Sequence, residues 1–437
     1  MVLLSSCNLY RKYRPAEVSV PENLMGDVVN PQDTVSMGDL SWRTAFTDPQ
    51  LQQLIDTALA HNTDMRTLQL TIEQAQNNVK AAKWGYAPTL SFTPQFNYQN
   101  SGGSNTWNVT VPLSASWQIG VFGQTTTSVR KSKAQVSYYQ DYKQAVQVSL
   151  AANIANLYYS LVMLDRELTI AEETEKLWDE SLESTRALYE AGLFQSSAVY
   201  QMEASVAEVK TEIIDLRNSI VITEASLCQL LAEPPHHIER ASFGTFQMPE
   251  QLHLGLPVRL LDARPDVRMA ERNMELAYYG TQSARQAFYP TITIEGLFGA
   301  AFSPAQLIGQ AVASLTQPIF AAGKLNAQLK NAKLEQEKAR LEFEQSLLDA
   351  GNEVYTYLHD CQTAGQKAEF IDARVTALQG AYDATTELMM NGTNTYLEVL
   401  TAQESLLAAQ LSQVQNRYES VYALINLYTA LGGFGTK

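Results

Sequence analysis

Few residues of this chain have the types and spacing that a reactive centre needs. The adjacent His236 and His237 follow two prolines, and we expect no cysteine or carboxylate at ligand spacing to converge with them. The three cysteines, Cys7, Cys228 and Cys361, are too few for a disulfide framework or a four-thiolate zinc site. We find no nucleophile–base pair and no phosphate-binding loop. The sequence therefore predicts no enzyme activity, no metal site and no cofactor, and the histidine pair is interpreted as part of an exposed linker.

The charge balance of the chain is strongly acidic. It has 46 acidic and 31 basic residues, which gives a net charge of −15. A groove for nucleic acid needs clustered Lys and Arg, so nucleic-acid binding is disfavoured. Hydrophobic residues make up 45% and charged residues 18% of the 437 positions, which favours a packed protein over a disordered one. No run of 18 or more apolar residues occurs, so no transmembrane helix is predicted.

The spacing of proline and glycine predicts unusually long helices. Residues 113–233 contain no proline, and residues 124–191 contain neither proline nor glycine. At about 1.5 Å per residue, a helix over the second range would be roughly 100 Å long. Apolar residues recur at steps of three and four from Val199 to Leu230 and again from Leu407 to Tyr428. This spacing predicts coiled-coil helices that pack along one stripe.

Two stretches alternate with a period of two instead. Apolar and small polar residues alternate from Leu90 to Tyr98 and, after a Gly-rich turn, from Trp107 to Trp117. Alternation over about ten residues is typical of a transmembrane β-strand, whose apolar face meets lipid and whose polar face meets water. The same pattern also fits a soluble hairpin that packs on a core.

The two halves of the chain resemble each other. The motif YAPTL at 86–90 recurs as FYPTI at 288–292, and DMR at 64–66 recurs as DVR at 266–268, both 202 residues later. Each half therefore predicts a helix, a β-hairpin, a very long helix and a long helix. The return strand of the second hairpin, 307–319, alternates poorly and is predicted partly from this symmetry.

Two hairpins supply four strands, which are too few to close a barrel. An open sheet edge in lipid leaves unpaired backbone groups that cost several kcal/mol each. Since the smallest barrels need eight strands, a membrane sheet of this chain has to be shared. Two copies are the minimum, and three would supply twelve strands.

Almost the whole chain, about residues 40–433, resembles the TolC family of outer-membrane factors, and more closely its lipoprotein branch of the OprM, CusC and NodT type. The resemblance rests on the duplicated plan and on local motifs in the right order. These are YAPTL and FYPTI entering the strands, QPIFAAGK at 317–324 after the last strand, and NGT at 391–393 with YLEVL at 396–400 at the second helical turn.

This resemblance implies a mixed, mainly α fold, in which long coiled-coil helices form an α-barrel and three copies share a 12-stranded transmembrane β-barrel. It implies a homotrimer in the bacterial outer membrane with its helical tunnel in the periplasm, where a periplasmic adaptor links it to an inner-membrane transporter of the RND type. The implied function is a passive exit duct for drugs or small solutes in a tripartite efflux pump. Type I secretion, heavy-metal efflux and, in a different class, a soluble coiled-coil scaffold are the alternatives.

The same resemblance divides the chain into segments. We expect a lipid anchor and extended arm at 1–40, a first repeat at 41–235, a linker at 236–256, a second repeat at 257–433 and a tail at 434–437. Within the repeats we expect hairpins at 89–119 and 290–319, and long helices at 122–191, 193–233, 321–390 and 393–431. Residues 4–7, Leu-Ser-Ser-Cys, resemble an incomplete lipobox, which predicts diacylation of Cys7 and contact with outer-membrane lipid.

Individual sites also follow from the resemblance. The helical turns at Gly192 and Gly392 are expected to meet the adaptor. Glu398 matches the first acidic position of the periplasmic entrance, whereas Thr401 replaces the acid at the second; the alternative for Glu398 is a solvated charge on a helix surface. Two positions at which some relatives carry a gating tyrosine and arginine are Met389 and Asn394 here, so closure is expected to depend on apolar packing and hydrogen bonds. The aromatic residues expected at the membrane interface are Trp107, Trp117, Tyr98 and Phe302.

Overall fold

The computed structural model describes residues 11–14, 37–102, 104–243, 264–302, 306–391 and 396–434. In the first half of the chain, a short 3-10 helix at Met37–Asp39 precedes a series of helices and strands. These are α1 (Trp42–Ala45), α2 (Pro49–His61), α3 (Thr63–Trp84), β1 (Thr89–Phe92), β2 (Gln95–Ser101), β3 (Ser104–Ile119), α4 (Gln124–Glu190) and α5 (Ser196–Leu231).

The second half repeats this order from the third helix onward. Its elements are α6 (Pro265–Gln286), β4 (Thr291–Phe302), β5 (Gln306–Thr316), α7 (Lys324–Met390) and α8 (Tyr396–Ala430). The helices before the strands have 22 residues in both halves, and those directly after the strands have 67 residues in both. Without proline, nothing in these long helices removes a backbone donor. The predicted fold class, a mainly helical tandem repeat with two β-hairpins, is confirmed.

The first hairpin has an interruption that the sequence pattern did not predict. Its outgoing strand breaks into β1 and β2 because Pro94 has no N–H to donate. Next to it, the Thr93 N–H makes a long hydrogen bond of 3.4 Å to the Pro112 carbonyl of β3. The register is the same on both sides, since Phe92 pairs with Leu113 and Gln95 with Thr110. The break therefore removes ladder bonds but leaves the two faces of the strand intact.

All strands form one antiparallel sheet in the order β1-β3-β4-β5, with β2 also on β3. The central pair, β3 and β4, joins the two hairpins over eleven residue pairs, from Val109 opposite Phe302 to Ile119 opposite Ile292. β5 ends at Thr316, short of the expected 319, because Pro318 cannot continue the ladder. Among the described residues, the outer edge of β5 and the outer edges of β1 and β2 have no strand partner.

The described residues fall into two compact units. The strand unit consists of the described parts of 1–19, 67–143 and 266–347, and contains the sheet with the helix segments next to it. The core unit consists of the described parts of 20–66, 144–265 and 348–437, and contains helices only. None of the described helices has an apolar stretch long enough to cross a membrane.

The centre of the core unit is built around buried aromatic side chains. The Tyr158 hydroxyl donates to Asp48 Oδ2 at 2.5 Å and accepts from the Ala241 N–H at 2.9 Å. Tyr428 packs edge-on against Phe46 and donates to a backbone carbonyl at 2.6 Å. Asp48 also caps α2 by accepting from its first N–H groups. Burial of tyrosine is stable here because each hydroxyl has a hydrogen-bond partner.

Candidate functional site

One face of the sheet is apolar and uncovered. Phe92 pairs with Leu113, and Leu113 pairs in turn with Phe298, so the apolar residues of adjacent strands share a face. The side chain of Phe96 is 68% exposed and that of Leu315 is 66% exposed. The same face also carries Leu90, Tyr98, Trp107, Val109, Val111, Trp117, Ile292, Ile294, Phe302 and Leu307. An apolar surface of this extent requires an apolar environment or a partner.

The opposite face carries hydroxyl and amide groups. Ser91 and Ser114 lie opposite each other with their hydroxyl oxygens 2.7 Å apart, and Asn97 pairs with Asn108. Glu295 is the one charged residue in the sequence of the five strands, and it lies on this face opposite Ser116. β5 alternates less well than the other strands, as predicted, because its apolar residues Ile308 and Val312 lie on this face, as does Leu297 of β4.

The four predicted interface aromatics lie at two levels of the sheet. Tyr98 and Trp107 pair near the turn of the first hairpin, and Phe302 ends β4 opposite Val109. Trp117 lies at the helix end of β3, where its indole N–H donates to the Tyr86 carbonyl at 3.1 Å. Ten residues separate the two tryptophans, a span of about 33 Å along a strand. With a tilt of about 45°, that length matches an apolar band roughly 25 Å tall.

The first helical turn has the geometry that glycine favours. Gly192 has φ +76° and donates its N–H to the Tyr189 carbonyl at 2.9 Å. The Leu193 N–H donates to the Leu188 carbonyl at 2.9 Å, which completes a Schellman-type end of α4. Gly192 therefore ends α4 and allows the chain to return as α5.

The second helical turn lies only partly within the described residues. Gly392 and Asn394 lie outside them, as does the predicted lipid-attachment residue Cys7. Glu398 lies in the first turn of α8 and is exposed, and Thr401 follows one turn later. The Thr401 hydroxyl donates to the Leu397 carbonyl at 2.8 Å. An acidic residue in the first turn of a helix is favoured by the helix dipole.

Sequence reasoning missed an apolar cluster next to these turns. Tyr396 is buried, and its hydroxyl donates to the Met202 sulfur at 2.6 Å. Leu400 and Trp178 belong to the same cluster, and Met389 packs against it. Burial and the nearby charge of a glutamate raise the pKa of Tyr396 to about 12. The three–four spacing of apolar residues in α8 could have predicted this buried side, but not its partners on α4 and α5.

A second missed feature is a partly buried ion cluster after α5. Arg240, whose side chain is 8% exposed, binds Asp165 with a 2.5 Å contact and also binds Glu224. Burial alone would raise the pKa of Glu224, but hydrogen bonds from Arg240 and the Ile238 N–H, with the positive charge of Arg240, lower it overall. His237 Nδ1 lies 2.9 Å from the same carboxylate. The predicted linker is therefore tied to the core unit at its start.

Contrary to the expectation from the sequence, a cysteine and a carboxylate lie beside the histidine pair, because α5 runs next to the start of the linker. In the described part of the chain, no three His, Cys, Asp or Glu side chains form a group that could hold a metal ion. His236 Nδ1 lies 3.5 Å from the Cys228 sulfur, and Cys228 and Cys361 are both buried thiols. Burial raises the pKa of the Cys361 thiol to about 11, which disfavours the reactive thiolate.

The chain matches the protein-family model described as "Outer membrane efflux protein" over residues 54–233 and 256–433. It is 26% identical to the probable efflux pump outer membrane protein TtgC of Pseudomonas putida, with 99% of this chain and 93% of that protein covered. It is 27% identical to the probable outer membrane lipoprotein SilC of Salmonella typhimurium, with 96% and 92% covered. It is 25% identical to the cation efflux system protein CusC of Escherichia coli, with 98% and 97% covered.

Solved structures resemble the whole chain as well. The open state of the Neisseria gonorrhoeae MtrE outer membrane channel superposes with a TM-score of 0.85 at 25% identity and covers 97% of both chains. The outer-membrane channel OprN superposes with a TM-score of 0.85 at 21% identity, covering 97% of this chain and 98% of that one, and so shares the fold.

Proposed function

The chain belongs to the outer membrane efflux protein family, and on that premise we propose that three copies form one passive duct for drugs or small solutes. The family places it in the bacterial outer membrane as a channel of the kind that serves tripartite efflux pumps. In the proposed assembly a periplasmic adaptor joins the duct to an inner-membrane transporter of the RND type. The duct itself catalyses no reaction, and its energy comes from that transporter.

The observation that carries this proposal is the amphipathic, open-edged sheet. Its apolar face is exposed, its other face is polar, and its outer edges have no strand partner in the described residues. Unpaired edges inside a bilayer cost several kcal/mol per backbone group. Pairing β5 of one copy with β1 and β2 of the next satisfies both edges at once. This arrangement favours the channel over the soluble scaffold.

The repeat predicts the register of that new pairing. Leu90 and Ile292 occupy the same place in their hairpins, as do Ala115 and Leu315. If the contact between copies repeats the β3–β4 contact within one copy, the pair Leu113–Phe298 translates into Ala313 of one copy opposite Phe96 of the next.

Oxidative cross-linking of the double variant Ala313→Cys and Phe96→Cys tests both the trimer and the register. Partner side chains in antiparallel strands are close enough for a disulfide. We expect covalent dimers and trimers on non-reducing gels of outer-membrane fractions. The matched control pairs Ala313→Cys with Gln95→Cys, because a shift of one residue moves the thiol to the opposite face. Monomer alone in both variants would contradict the shared sheet.

For the entrance, we propose that three copies of Glu398 lie around the duct axis, with Thr401 one turn away. Met389 packs on the apolar cluster around Tyr396, which supports closure by apolar packing. Asn394 is proposed to lie beside this entrance. The turns at Gly192 and Gly392 are proposed as adaptor contacts, and Cys7 as the acylated residue. Trp107, Trp117, Tyr98 and Phe302 are proposed to lie at the membrane interfaces.

The polar face supports broad rather than selective transport of small solutes. Apart from Glu295, the residues of this face carry no charge. The face therefore offers no cluster of charged ligands that would select one cargo. Susceptibility of a deletion strain and a complemented strain to a panel of drugs and to copper and silver salts tests the cargo class. We expect restored resistance to several unrelated drugs. Restored resistance to the metal salts alone would assign heavy-metal efflux instead.

A further inference from the structure

The strand unit contains a large basic cavity. Its volume is about 1160 Å³, and its walls come from the segment 11–14 and from the helices α4, α6 and α7. The segment contributes three cations, Arg11, Lys12 and Arg14. The helices contribute four more, Arg130, Arg285, Lys333 and Arg340.

This concentration of positive charge is unexpected in so acidic a chain. With a net charge of −15, a random patch of surface would be acidic. Among the described residues, the cavity instead collects seven of the 31 basic residues around one lining acid, Glu337. Arg340 is bound to Glu337 at 2.7 Å and also to Glu344, so its charge is already balanced and the other six cations carry the argument. Like charges brought together repel each other, so the arrangement favours an anionic occupant.

Aromatic contacts hold the segment 11–14 against the helices. The rings of Tyr13 and Tyr278 are 5.7 Å apart, and the Tyr278 hydroxyl donates to the Arg11 carbonyl at 3.3 Å. The Tyr13 N–H donates to the Tyr279 hydroxyl at 3.5 Å. These contacts fix the backbone of the segment, so that its cations line the cavity together with those of the helices.

One end of the cavity lies near the helix end of the sheet, and the other end reaches Arg340, sixteen residues or about 24 Å into α7. Arg285 is the penultimate residue of α6, and β4 begins six residues later at Thr291. Arg130 is six residues into α4, which places it about 9 Å from the start of that helix. In a protein whose sheet spans a bilayer, this level borders the headgroup region, which extends several ångström beyond the hydrocarbon core.

We propose that this cavity binds a phosphate-bearing anion, supplied by the headgroup of an anionic phospholipid in the adjoining leaflet. Guanidinium groups bind phosphate through two parallel hydrogen bonds, and a lysine adds a point charge. The lipid source rests on the proposed membrane position of the sheet. Binding of a phosphate group does not depend on that membrane position. The anion site and its lipid source can therefore be rejected independently.

Native mass spectrometry of the full-length protein in neutral detergent tests this assignment. Phosphatidylglycerol and phosphatidylethanolamine are titrated in parallel, and inorganic phosphate is added as a competitor. We expect phosphatidylglycerol to bind at least tenfold more tightly than phosphatidylethanolamine. In the double variant Arg130→Gln and Lys333→Gln, that affinity falls about tenfold or more, since two charged contacts are lost.

The matched control also removes one positive charge from each of these two helices, but at positions outside the cavity. Lys133→Gln and Lys330→Gln lie on α4 and α7, are exposed and do not line it. We expect this control to bind like the wild type. If the cavity variant does not fold, the single variant Arg285→Gln replaces it.

The competitor separates the possible sources of the anion. Displacement of phosphatidylglycerol by millimolar phosphate identifies the phosphate group as the bound chemistry. Phosphate binding without any lipid preference keeps the anion site and rejects the lipid as its source. Equal affinity of the cavity variant and the control for both probes overturns the proposal.

Discussion

The strand unit and the core unit differ in how far they bury their large apolar side chains. In the core unit, Tyr158 and Tyr428 are almost completely buried among helices of the same chain. In the strand unit, Phe96 and Leu315 are about two-thirds exposed. The core unit therefore carries its own hydrophobic stabilisation, whereas the sheet depends on lipid and on other copies for it. The two units should respond differently to the same kinds of substitution.

The largest effect is expected in the core unit. Tyr428→Ala should lower the free energy of unfolding by about 3–5 kcal/mol, because it leaves a cavity against Phe46 and Phe434 and removes a buried hydrogen bond. Thermal unfolding followed by circular dichroism measures it. The matched control, Tyr355→Ala on α7, removes an exposed ring and should change stability by less than about 0.5 kcal/mol. Equal melting temperatures for both variants would refute this picture of the core.

The second-largest effect is expected when a charge is placed on one face or the other of β3, at two adjacent residues. Leu113→Arg puts a charge on the apolar face and should cost about 2–4 kcal/mol of membrane stability. Ser114→Arg puts the same charge on the polar face, where water can solvate it. The amount of heat-resistant trimer in outer-membrane fractions measures the difference. Equal yields would mean that the apolar face does not meet lipid.

A smaller effect concerns the ion cluster of the core unit. The pKa of Glu224 is lowered in the folded protein, so its contribution to stability is present above the ordinary value of 4.5 and is lost as the pH falls through the folded pKa. Melting temperatures from pH 7 down to pH 3 should therefore fall more steeply for the wild type than for Glu224→Gln. Glu208→Gln, an exposed change on the same helix, should follow the wild-type curve.

The smallest effects have opposite signs at two glycines. Gly192→Ala should destabilise by about 1–2 kcal/mol, since its φ of +76° is strained for alanine. Gly380→Ala, inside α7 with open space around it, should stabilise by about 0.5–1 kcal/mol. Melting temperatures of both single variants provide the measurement. A shift in the same direction for both would show that backbone conformation does not set the cost at the first turn.

The sequence allows prediction of those features that depend on local periodicity. The 67-residue helices follow from the absence of proline, and the two faces of the sheet follow from the alternation around Trp107 and Leu90. The duplicated motif predicts the order of elements in the second half. Pro94 was the local signal for the break between β1 and β2. Its effect on the ladder depends on the partner strand, where the Pro112 carbonyl accepts only a long hydrogen bond from Thr93.

Features that join distant parts of the chain were not predictable in this way. Arg240 and Asp165 are 75 residues apart, and Tyr396 and Met202 are 194 residues apart. No periodic pattern links such pairs, because their contact depends on how the long helices return alongside each other. The same reason applies to the segment 11–14, because Arg11 and its partner Tyr278 are 267 residues apart.

Single-channel conductance in planar bilayers tests the central claim that several copies close one duct. Purified wild-type protein should give stable, cation-selective steps, and Glu398→Gln should change their size or selectivity. Steps that are identical in the variant would keep the duct and reject Glu398 as part of its constriction. Protein that gives no conductance, and stays monodisperse without detergent, would contradict the channel itself.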